Sequence, residues 1–108
     1  MGLFGKKKFD KNVSRDNEFL KDYAIKVNAL LLYVEENEKL TTEMKALKDD
    51  FDFSVASSDP KAKTLEKRIV KDFDSLKATL QQSDWDEAEV LMLVRGIRST
   101  IVEITSLR

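Results

Sequence analysis

Between Phe19 and Val34 the apolar residues fall at a helical interval. Phe19, Leu20, Tyr23, Ala24, Val27, Leu30, Leu31 and Val34 share one broad face of a helical wheel, the pattern of a helix laid against a core. The interval returns in Leu40, Met44, Leu47 and Phe51, then in Ala62, Leu65, Ile69, Phe73, Leu76 and Leu80, and again in Val90, Leu93, Val94 and Ile97. Three glycines and one proline in 108 residues leave few places where such a pattern can be interrupted. Long amphipathic helices on short connections favour antiparallel neighbours. The expectation is therefore an all-α fold, an up-and-down antiparallel helical bundle of three long helices plus one short one.

Punctuation gives the boundaries. The first helix is expected from about Asp16 to Glu36, with Ser14 or Asp16 as its N-cap. Phe9 and Val13 continue its apolar face backwards, so an earlier start is also compatible. Glu35, Glu36 and Glu38 crowd its end, where the helix dipole disfavours acids. That conflict argues for a break near Asn37–Leu40, with Thr41 or Thr42 capping a short second helix that ends near Asp50–Phe53; the alternative is one longer helix. FDFSVASSDPK reads as an extended connection whose aromatics tuck into the bundle. Pro60 suits the first position of a third helix reaching Gln82. Ser83 and Asp86 stand at capping-box spacing before a fourth helix, from about Asp84 almost to Arg108. The chain thus divides into a basic N-terminal segment, residues 1–13, and a single bundle domain, residues 14–108.

Composition removes most site chemistry. The chain has neither cysteine nor histidine, so thiolate nucleophiles, zinc–thiolate sites and the commonest general base are all missing. Asp84, Asp86, Glu87 and Glu89 around Trp85 read as carboxylates favourable to a helix start. The Asp49-Asp50-Phe51-Asp52 run lacks the glycine and the final glutamate of a calcium loop. No glycine-rich phosphate loop is present. The expectation is a protein that is not an enzyme, with no catalytic, cofactor-binding or metal residues, no cofactor and no small-molecule substrate.

Charge is segregated beneath a net charge of −1. Residues 1–15 carry five Lys or Arg against one Asp, whereas residues 16–59 carry five against eleven acids. Lys63, Lys67 and Lys71 make a basic stripe on the third helix, interrupted by Asp74, which reads as a wet face. Near-neutrality, with no aromatics interleaved among the lysines, argues against nucleic acid as a partner.

The informative excess is apolar. Ile25, Ala29 and Leu32 project opposite the core stripe of the first helix. On the fourth, Met92 points away from Val90, Leu93, Val94 and Ile97, so that Trp85, Met92 and Gly96 line a second side. A glycine inside a helix is understandable where another helix approaches closely. Ile25, Leu32, Trp85, Met92 and Gly96 are accordingly the candidate partner-binding residues, with the second helix or the Phe53 connection as a movable cover. The partner is a protein, foreign or a second copy, as in an adaptor or a self-associating module.

The opening MGLFGKKKF supports an alternative, peripheral membrane association. Leu3, Phe4 and Phe9 suit the headgroup region, while Lys6, Lys7 and Lys8 suit anionic lipid, each lysine contributing about 1 kcal/mol. Neither a secretory signal's apolar stretch nor a run long enough to span a membrane occurs, and Lys6 stands where a myristoylation signal wants Ser or Thr. A cytoplasmic protein, peripheral at the membrane in the alternative, is the expectation. Over Met1 to Lys8 the opening resembles the N-terminal tips of ESCRT-III-type membrane-remodelling proteins, which begin with a small glycine–Leu–Phe–glycine–basic segment. The resemblance implies contact with a membrane surface. It ends at Lys8: those proteins continue into a long basic helical hairpin, whereas here an acidic segment and shorter helices follow, and no family is assigned.

Overall fold

The structure, a computed structural model, describes residues 11–54, 57 and 59–107. Four α-helices are present among them: α1 (Lys11–Leu30), α2 (Glu38–Phe53), α3 (Pro60–Leu80) and α4 (Glu87–Ser106). A 3-10 turn, Leu31–Tyr33, continues α1. No strand occurs among the described residues. The fold is an all-α bundle in which successive helices alternate in direction.

The apolar stripes read from the sequence form the core. Leu20, Ala24 and Val27 of α1, Leu40, Met44, Leu47 and Phe51 of α2, Ala62, Ile69 and Leu76 of α3, and Val90, Val94 and Ile97 of α4 are all buried. Phe19, Leu65 and Leu93, at the stripe margins, pack partly buried against them.

Neighbouring pairs are α1 with α2, α2 with α4, and α4 with α3. α2 and α4 run side by side in the same direction. The pairing of Glu43 with Arg95 (3.2 Å) and of Asp50 with Arg98 (2.7 Å) shows the shared polarity. Arg98 reaches Glu43 as well, at 3.4 Å. The connection from α2 to α3 therefore crosses one end of the bundle. α1 and α3 are not tightly packed, and a groove of about 190 Å³ between them is lined by Tyr23, Ala29, Phe73 and Lys77. Tyr23 bridges that gap, with its ring 4.9 Å from Phe19, 5.7 Å from Phe51 and 5.0 Å, edge-on, from Phe73.

Several boundaries differ from expectation. Ser14 and Asp16 lie inside α1, so neither is its N-cap. The break after α1 comes earlier than expected: the α-helix ends at Leu30 and its 3-10 continuation at Tyr33 rather than at Glu36, and α2 already runs from Glu38. The cap of α2 is Asn37, whose Oδ1 accepts from the Leu40 N–H at 3.0 Å. Thr41 instead donates its hydroxyl to the Val34 carbonyl at 2.9 Å, fastening the turn from the other side. The FDF stretch is not extended: α2 continues through Phe53, burying Phe51 and leaving Phe53 81% exposed. An alternating pattern and a helical one coincide over three residues, and the helix already running from Glu38 decides between them. Phe53 therefore tucks into nothing and covers nothing; Val55 lies outside the described residues. At α3, Asp59 caps by accepting from the Lys61 N–H at 2.8 Å, with Pro60 first in the helix.

Candidate functional site

Of the four large apolar candidates, Ile25, Leu32 and Met92 are uncovered and Trp85 is partly buried. Ile25 is 69% exposed, Leu32 73% and Met92 66%. The structure does not gather the five candidates into one surface. Ile25 belongs to the outer face of α1, Met92 and Gly96 to that of α4, and those two helices do not neighbour one another. Gly96 is exposed, and a Cβ built there would meet nothing within 4 Å, so no helix of this chain explains the glycine.

Trp85 is placed differently from expectation. α4 begins only at Glu87, after Asp86, which makes no side-chain capping bond, and Ser83 lies in the turn rather than at the cap. Trp85 is thus in the connection between α3 and α4, off the helical face of Met92 and Gly96. It packs partly buried against the core and meets Leu32 across a hollow of about 390 Å³.

That hollow is at the end of the bundle where α1 and α3 finish and α2 and α4 begin. Leu32, Tyr33 and Trp85 supply its apolar lining, and Val34, Glu35, Glu36 and Asn37 complete it. The 3-10 turn builds it: by tightening the chain after Leu30 it buries Val34 in the core and leaves Leu32 and Tyr33 outside. Asn37 holds the wall in place, since its Nδ2 donates to Glu87 Oε1 of α4 at 3.4 Å while its Oδ1 caps α2. Glu38, Asp84, Asp86, Glu87 and Glu89 occupy the segments that meet at this end. The stretches 27–38 and 78–94 contain no Lys or Arg. The hollow thus combines the Leu32, Tyr33 and Trp85 side chains with a wall that carries Glu35 and Glu36.

Tyr33, Glu35 and Glu36 were not among the expected site residues. The signal that marks them is the crowding of acids beside an aromatic at a helix C-terminus, which helix electrostatics disfavours.

Elsewhere the polar groups are structural. Arg95 and Arg98 tie α4 to α2, and Arg68 reaches Glu103 at 3.1 Å between α3 and α4. The two hydrogen-bonded Asp50 and Glu43 carboxylates push the Arg98 pKa further up, against a smaller desolvation effect. Lys63 of the basic stripe pairs with Glu66 at 3.7 Å. Among the described residues no group of three or more carboxylates converges as a metal site, and no helix is long and apolar enough to cross a membrane. The membrane candidates Leu3, Phe4, Lys6, Lys7, Lys8 and Phe9 lie outside the described residues. Comparison of the chain with family models, with curated proteins and with solved structures finds no match.

Proposed function

We propose that this chain is a non-enzymatic interaction module that works by self-association through its uncovered apolar side chains. The observation that carries the reading is the exposure of Ile25, Leu32 and Met92 on helices whose opposite faces already fill the core. Covering three such side chains would return on the order of 5 kcal/mol, a large sum beside the net stability of a domain this small. The absence of Cys and His from the sequence argues in the same direction, against catalysis.

The test is the mass in solution. Sedimentation equilibrium of the full chain is expected to give a multiple of 12.4 kDa. Leu32→Glu or Met92→Glu should lower that mass while the helical circular dichroism stays unchanged, because both positions face water in the isolated chain. A monomer at all attainable concentrations, unaffected by either substitution, would remove self-association as the function.

A further inference from the structure

We propose that the hollow lined by Leu32, Tyr33 and Trp85 receives the GLFGKKKF segment, residues 2–9, of a second copy of this chain. The inference rests on the self-association reading above and names the two surfaces that meet.

Complementarity is the first ground. The hollow offers apolar and aromatic side chains at Leu32, Tyr33 and Trp85 and acidic residues at Glu35 and Glu36. The segment offers the converse: Leu3 and Phe4 between two glycines, then the consecutive lysines 6, 7 and 8. Apolar anchors would meet the apolar and aromatic side chains while the lysines meet the acidic residues, the division of labour found in specific interfaces. Glu35 and Glu36 also stand where the preceding helix end disfavours negative charge. A cationic occupant relieves that conflict, which nothing basic in 27–38 does.

Reach is the second ground, and it selects the second copy. α1 runs twenty residues from Lys11 to Leu30, about 30 Å at 1.5 Å per residue, and the hollow lies beyond its far end. Phe4 precedes Lys11 by seven residues, which span no more than about 25 Å even when fully extended. A chain cannot place its own Phe4 in its own hollow. The contact is therefore made in trans, and it joins the end of one copy's α1 that carries Lys11 to the other copy's hollow, beyond the far end of α1. A single such contact leaves one hollow and one segment free in the pair, and these are satisfied either by further copies or by the reciprocal contact of two antiparallel copies.

The experiment uses two full-length variants and sedimentation velocity. Leu3→Glu/Phe4→Glu spoils the segment and keeps the hollow; Leu32→Lys spoils the hollow and keeps the segment. The parent chain is expected to gain mass with concentration, and to associate about tenfold more weakly when NaCl rises from 50 to 300 mM. Each variant alone should have a lower mass than the parent at equal concentration, and their equimolar mixture should form a heavier complex than either variant alone, since one working segment and one working hollow remain. Folding of both is checked by circular dichroism, and recovery of the mixed complex is itself evidence that both are folded. If Leu3→Glu/Phe4→Glu associates like the parent, the segment is not the occupant, although self-association stands. A mixture that gains no mass over either variant while the parent associates also overturns the inference. A parent that stays monomeric yet co-sediments with phosphatidylserine vesicles in a Leu3- and Phe4-dependent way overturns it in favour of a membrane surface.

Discussion

Tyr23 is the residue on which three helices converge. Its ring touches Phe19, Phe51 and Phe73, and the Lys26 ammonium lies 4.4 Å from its centroid. Burial, and secondarily the charge of Asp74, raise its phenol pKa above 10.0. As pH climbs past 10 the unfolded chain therefore releases this proton before the folded one does, and stability falls. Tyr23→Phe keeps the ring contacts and removes the proton, so its urea midpoint should drop less than the parent's between pH 9 and pH 11. Gly96 makes the opposite kind of prediction. Its Cβ position is open, and alanine is the better helix former by up to about 1 kcal/mol. Gly96→Ala should raise the midpoint of thermal unfolding by a few degrees.

At the scale of elements, the seam between α2 and α4 depends on Arg98. Its guanidinium is 37% exposed and holds Asp50 and Glu43, so water screens both pairs and each contributes well under 1 kcal/mol. Arg98→Met, which keeps much of the stem's packing, should cost about 1 kcal/mol in urea unfolding, and less in 1 M NaCl.

Elements were also where the sequence was most legible. The stripes of α2 and α3 are buried as the helical interval implies, because a 3.6-residue period over sixteen residues or more has one consistent solution. Ends were harder to read. Asn37, Thr41 and Thr42 are all competent caps, and the choice of Asn37 depends on a tertiary bond to Glu87 and on Thr41 being drawn back to Val34. For the candidate site, the exposure of Ile25, Leu32 and Met92 followed from periodicity alone. The partnership of Leu32 with Trp85 did not: it needs the 3-10 turn and the α3–α4 connection brought to the same end of the bundle, which neither segment encodes by itself.

Across the whole molecule, the uncovered apolar side chains are distributed rather than pooled. α1 and α4 carry theirs on helices that are not neighbours, and the hollow is at one end. One compact partner would meet only part of this scattered surface, whereas repeated copies, each offering a different face, would meet more of it. The polarity is also set lengthwise. Acids gather at the end where α2 and α4 begin, while the basic first fifteen residues lead into the opposite end of α1.

The parallel seam between α2 and α4 has a consequence for how the bundle is reached from the unfolded chain. α1 with α2, and α3 with α4, are helical hairpins whose partners are adjacent in sequence, and each forms by closing a short loop. Only the docking of one hairpin on the other joins residues about fifty apart, Glu43 to Arg95 and Asp50 to Arg98. Such local wiring belongs to chains that fold in microseconds to milliseconds. A nascent chain can therefore complete its first hairpin while the second is still being synthesised.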